Sequence, residues 1–112
     1  MGYETVDERA ERLEGEAGSK IALEMELMRR HVVMLKAVLD NQPVGIIRLA
    51  EITGFPQHKV RYSLRVLEHE GLVAPSPAGA VTTAKVPEFL SQMRRLVREV
   101  SLAVDHVGKS VR

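Results

Sequence analysis

At 112 residues the chain is sized for one domain, and 45% hydrophobic with 28% charged residues is the balance of a globular protein, not of a disordered one. It has no cysteine, which excludes disulfides, thiolate metal sites and thiol redox chemistry. No apolar run approaches the ~20 residues that span a bilayer. The acidic start is unlike a signal peptide, so a cytoplasmic location is expected. The net charge of +1 conceals an asymmetry. Residues 1–18 carry six acids against two arginines, a net of −4, while the rest carries 14 basic and nine acidic residues, a net of +5.

In chain order, residues 1–18 form the acidic arm. Thr5-Val6-Asp7-Glu8 fits a capping box, with Thr5 as N-cap and Glu8 reaching back. Gly15 and Gly18 interrupt any helix that starts there, so a short helix and a frayed arm both remain open. Ser19 is placed to cap a long helix from about Lys20 to Leu39. Its apolar seam is Ile21, Met25, Met28, Val32, Leu35 and Leu39, at alternating spacings of four and three. Asp40-Asn41-Gln42-Pro43 stops it.

The stretch 46–73, IIRLAEITGFPQHKVRYSLRVLEHEGLV, predicts two short helices joined by a tight turn and followed by a strand. Ile46, Leu49 and Ala50 make the first apolar stripe, widened by Ile47 and Ile52. Gly54 ends that helix in the left-handed region, Phe55 folds back to the core, and Pro56 opens the next first turn. Val60, Leu64 and Leu67 form the inner face of a second helix at about 56–70, which Gly71 closes. Gln57, His58, Lys59, Arg61, Tyr62, Ser63 and Arg65 are left for solvent. A hairpin is expected at about 72–83, from strands 72–74 and 80–82 around the turn formers Pro75 to Gly79. Thr83 is placed to cap a last helix with Pro87 in its opening turns. The seam of that helix is Phe89, Met93, Leu96, Val100, Ala103 and Val107, with Leu90, Val97 and Val104 beside it.

Leu49-Ala50-Glu51, Gly54-Phe55-Pro56, Val60, Leu64, Leu67-Glu68 and Gly71-Leu72-Val73 resemble the core pattern of winged helix–turn–helix transcriptional regulators of the MarR-like and ArsR-like types, and of the small archaeal regulators. The resemblance runs from about Pro43 to Thr83 and implies a three-helix core with a hairpin wing; with the long N- and C-terminal helices read above, the expected domain is mainly α with a small β-hairpin wing over residues 19–112. The resemblance implies a dimer that binds double-stranded DNA, with the second helix entering the major groove. Carried onto this chain, Gln57 is set to pair with adenine, Arg61 with guanine O6/N7, and Tyr62 with a thymine methyl or a phosphate. His58 lies in the first turn, and Lys59 and Arg65 suit phosphate. Exposed helix faces are also basic for solubility alone, and Arg65 with Glu68 also fits a solvated pair. The absence of any acid from Phe55 to Leu67 favours the DNA reading.

The hairpin departs from that pattern. From Ala74 to Ala84 there is no charge, where DNA-binding wings carry Arg or Lys. Its hydroxyls, Ser76, Thr82 and Thr83, remain as possible donors, and an uncharged wing equally suits a protein–protein module. The four histidines form no short ligand cluster; only His31 with His106 offers a long-range pairing, and solvated or interfacial histidines are expected. No nucleophile–base pair, phosphate-cradling loop or paired-carboxylate site is present, so neither catalysis nor a metal or other cofactor is expected. Met25, Met28, Met34 and Met93 suit core or dimer packing better than an effector pocket. Two long seams exceed what one small core covers. They predict a homodimer seam from Ile21, Met25, Met28, Val32, Phe89, Met93, Leu96, Val100 and Val107.

Overall fold

A computed structural model of the chain describes residues 20–111. The acidic arm, its capping box and the Ser19 cap lie outside the described residues. The elements in order are α1 (Lys20–Asn41), α2 (Ile46–Thr53), α3 (Gln57–His69), β1 (Val73–Ser76), β2 (Gly79–Thr82) and α4 (Val86–Ser110). The architecture is mainly helical with one small antiparallel two-stranded sheet. Helix α1 packs on α2, α3 and β2, while α3 packs on α2 and β1.

The inward face of α1 is not the seam that spacing predicts. Of Ile21, Met25, Met28, Val32, Leu35 and Leu39 only Leu35 is buried; Ile21 is 70% exposed. The buried stripe is instead Glu26, Arg30, His31, Met34, Leu35, Ala37 and Val38. Its first half is polar, so apolar periodicity points to the neighbouring stripe.

Between α2 and α3 the punctuation acts as expected. Gly54 adopts φ 80° and donates its N–H to the Ala50 carbonyl at 2.8 Å. Thr53 donates its hydroxyl to the Leu49 carbonyl and accepts the Phe55 N–H. The turn thereby feeds Phe55 into the core, where it is almost fully buried beside Leu49, Val60 and Leu67. Burial of such a ring contributes roughly 1.5–3 kcal/mol. Ile47 does not widen the inner stripe: it is 66% exposed. Pro56 sits one place earlier than expected, as the extended N-cap of α3. At the other end Gly71 has φ 75° and donates to Glu68, while Leu72 donates to Leu67 at 2.9 Å. These two bonds form a Schellman ending, and the buried Leu67 and Leu72 supply its apolar contact.

The hairpin is longer and tighter than the expected turn from Pro75 to Gly79. Strand pairing runs Val73↔Thr82, Ala74↔Val81, Pro75↔Ala80 and Ser76↔Gly79, leaving only Pro77-Ala78 between the strands. Pro75 tolerates a strand position because Ala80 turns both its backbone groups away, toward Val44. Pro75 and Ala80 therefore face each other without mutual hydrogen bonds, and no N–H is missed. Val44 thus adds a one-residue third rung beyond β2. Gly79 is demanded there. Its φ is 134°, and a Cβ would lie 2.7 Å from the Val44 backbone.

Thr83 does not cap α4. Its hydroxyl donates to the Gly71 carbonyl and accepts the Lys85 N–H, which ties the end of α3 to the approach of α4. Lys85 takes the cap position without a side-chain bond, and Pro87 lies in the first turn. Val86 is buried and Phe89 and Leu90 pack on the core. From Arg94 onward every described residue of α4 is exposed. This exposed stretch is ~25 Å long, at 1.5 Å per residue. The long axis of the molecule, 55 Å against 31 and 25 Å, reflects this.

Candidate nucleic-acid interface

Helix α3 is anchored by Val60, Ser63, Leu64 and Leu67, an i, i+3, i+4, i+7 set on one face. That anchoring fixes what faces outward. Gln57, His58, Arg61, Tyr62 and Arg65 are exposed, and Lys59 is half-buried. Five of the six expected residues, His58, Lys59, Arg61, Tyr62 and Arg65, border one open depression of about 570 Å³. Gln57 lies outside it, at the start of the helix. Among the described residues, no carboxylate lines the depression. Arg65 and Glu68 form no ion pair with each other among the described residues.

Ser63 corrects the expectation of a solvent-facing hydroxyl: it is fully buried. It sits under the depression, between two side chains of α1. Arg30 donates its Nε–H to Ser63 Oγ at 2.9 Å. His31 Nδ1 also lies 2.9 Å from Oγ. An arginine only donates, so the serine oxygen accepts from Arg30, and the direction of its bond with His31 follows the histidine tautomer. Burial pushes the His31 pKa below the usual imidazole value, and the Arg30 charge beside it acts in the same direction. Both effects favour the neutral imidazole.

Tyr62 closes the group from outside. Its ring centroid is 5.9 Å from that of His31, tilted by 37°, and the Arg30 guanidinium carbon is 5.5 Å from its centroid. Tyr62 is thus both exposed and braced, with cation–π contact on its ring. Arg30, absent from the expected site, is the α1 residue that borders the same depression. The signal for Ser63 is present in the sequence, because it completes the Val60, Leu64, Leu67 spacing. Arg30 gives no such signal, being one of two adjacent arginines. Arg29 pairs instead with Glu26 at 3.0 Å.

The hairpin contributes little that is available to a ligand. Ser76 donates its hydroxyl to the Gly79 carbonyl at 2.6 Å. The Thr82 N–H and hydroxyl both donate to Gln42 Oε1, and Thr83 serves Gly71. All three hydroxyls expected as external donors are spent within the chain, Ser76 across the hairpin itself and Thr82 and Thr83 in tying it to its neighbours. Among the histidines, His31 is buried in the serine cluster instead of solvated, while His106 sits on the exposed length of α4. The described residues contain no group of three or more metal-ligating side chains. No helix among them is long and apolar enough to cross a membrane.

The arrangement suits an anion: among the described residues, one helix presents cations and an aromatic ring around one open surface without a carboxylate. No protein-family model and no curated protein matches this chain, so the role of the interface rests on its own side chains.

Proposed function

We propose that the chain is a cytoplasmic winged helix–turn–helix regulator of transcription that binds double-stranded DNA as a homodimer and performs no catalysis. The observation that carries this reading is the outer face of α3 from Gln57 to Arg65, which holds Gln57, His58, Lys59, Arg61, Tyr62 and Arg65 and no acid, on a helix packed from behind. In this reading α2 and α3 are the helix–turn–helix, the hairpin is the wing, and α3 enters the major groove. Gln57, Arg61 and Tyr62 read base edges, while Lys59 and Arg65 hold phosphates and set the register.

Support for the homodimer comes from apolar side chains without cover. Ile21, Met25 and Met28 on α1, and Leu96, Val97, Val100, Val104 and Val107 on α4, are all exposed. Val32, Leu90, Met93, Val97 and Leu102 line an open groove between the two helices. Scattered exposed apolar residues are ordinary, but a contiguous row marks an interface. A two-fold pairing of these helices places two copies of α3 to meet half-sites ~34 Å apart.

The test is titration with random-sequence duplex across a salt series. Binding is expected to weaken steeply with salt, and Lys59→Ala or Arg65→Ala each to lower the log–log slope by about one. Genomic-fragment selection is expected to enrich an inverted repeat. Absence of duplex binding at low salt would favour the second reading, a protein–protein module, which the uncharged Pro77-Ala78 tip supports. A single-chain mass in sedimentation at micromolar concentration would remove the dimer.

A further inference from the structure

Tyr62 stands on the outer face of α3 at 45% exposure, yet its ring is backed by side chains of α1. The His31 ring lies 5.9 Å from it at a tilt of 37°, within the range of paired aromatic rings. The Arg30 guanidinium carbon lies 5.5 Å from its centroid. Both backing residues are buried, and both meet Ser63 Oγ at 2.9 Å. Ser63 follows Tyr62 on α3, as His31 follows Arg30 on α1. Successive helical side chains point about 100° apart, so a Ser63 that faces the core leaves Tyr62 at the rim of the contact with α1. The serine anchors the two α1 side chains from inside, and they wall the ring on one side.

A tyrosine on an open helix divides mainly between two χ1 rotamers, because the third drives the ring into the preceding turn. Contact with His31 and Arg30 favours the rotamer that lies against α1. Such bracing has little use in a phosphate contact, which positions the protein without reading sequence. A base contact demands a side chain held by its neighbours within about 0.5 Å of its place. The open side of the ring also suits a base better: its π-face is electron-rich, which disfavours an anionic phosphate and accepts a methyl group. In the major groove that group is the thymine methyl.

We propose that His31 of α1 is a positioning residue that presets the Tyr62 ring of α3 for a thymine methyl. The inference rests on the DNA reading given above and narrows it. Tyr62 becomes the specificity-determining residue, and base preference is set in part by a helix that itself need not touch the base. Ordering the ring on folding also leaves less freedom to lose when DNA binds.

The experiment has two parts, both on the full chain. Without DNA, three-bond NMR couplings report the Tyr62 χ1 populations. Wild type and His31→Phe, which keeps a ring behind Tyr62, are expected to hold one rotamer, and His31→Ala to divide between two. With DNA, affinity is measured for the inverted repeat enriched from genomic fragments and for duplexes that change one T·A pair at a time. Tyr62→Ala is expected to lose about five- to a hundredfold of discrimination at one such pair. His31→Ala is expected to lose about two- to threefold at the same pair, since the competent rotamer falls to a third or a half. His31→Phe is expected to restore it, and His31→Ala to have no further effect once Tyr62 is alanine. The salt slope for random duplex stays unchanged throughout.

A divided Tyr62 rotamer in wild type, or an undivided one in His31→Ala, overturns the proposal. So does a His31→Ala loss spread over all pairs or persisting in the Tyr62→Ala background, because general loosening of the fold would produce that pattern. Absence of wild-type duplex binding overturns the DNA reading and the thymine role with it, while the couplings separately decide whether His31 places the ring. Should His31→Ala fail to fold, Ser63→Ala, which unpins His31, takes its place with the same expected pattern and the same overturning results.

Discussion

The two long helices carry apolar seams of the same spacing and meet opposite fates. Helix α1 lies across α2, α3 and β2 and is built into the core from Arg30 to Val38. Helix α4 touches the core through Val86, Phe89 and Leu90 and then leaves it. Amphipathic periodicity reports that a helix has a face to bury; it does not report whether its own chain supplies the cover. In α1 the covered face even includes a glutamate, an arginine and a histidine, while a cleaner apolar stripe stays outside.

The widest separation between the helices is expected from truncating their apolar side chains. Met34→Ala removes a fully buried side chain and is expected to cost about 2–5 kcal/mol in urea unfolding. Val100→Ala or Val107→Ala is expected to change monomer stability by under about 0.5 kcal/mol, since both residues are exposed. A loss of stability in the α4 variants that grows with protein concentration would show that a second copy covers that face. Comparable losses in dilute and concentrated protein would erase the contrast between the helices.

The stitching at the middle of α1 and just past its C-terminal end offers a sharper, smaller test. Gly79→Ala forces a Cβ against the Val44 backbone at a φ that alanine rarely adopts, and is expected to cost about 1–3 kcal/mol. Ser63→Ala removes the partner shared by Arg30 and His31 across 33 and 32 positions of sequence. Because both partners are buried, an unsatisfied donor is left behind, and a loss of about 1–3 kcal/mol is expected by chemical denaturation. An unchanged midpoint for Ser63→Ala would mean that the α1–α3 join does not depend on this node.

The mildest perturbation is acid. His31 is held neutral in the folded protein, with its pKa below the unfolded value of about 6.5. The unfolded chain therefore binds more protons as pH falls through that value. Stability is fully present above it and declines as pH drops toward the folded pKa. Thermal melts between pH 7.5 and 5 are expected to show this decline, and His31→Asn to flatten it. A decline of equal steepness in that variant would assign the acid sensitivity elsewhere.

Local chemistry makes much of the fold legible. Gly54, Pro56 and Gly71 mark the ends of α2 and α3 because their backbone preferences belong to single residues. The outer face of α3 is legible for the same reason: Val60, Leu64 and Leu67 define its inside, and what remains faces out. Ser63 is misplaced by its chemistry, since a serine reads as polar unless its position on the inner stripe is weighed first. The hairpin reads too short because Pro75 and Gly79 have turn chemistry. Only the Val44 rung reveals why each belongs in a strand instead.

By itself the sequence determined the order of the elements, the ends of α2 and α3, the single hairpin, and the basic character of α3, since each depends on residues within a few positions of one another. Tertiary structure decided which side of α1 is buried, that Arg30 and His31 meet Ser63, and that α4 runs on past the core. Those outcomes depend on surfaces tens of residues apart in the chain. A stripe of side chains acquires its inside only when a second element arrives to cover it.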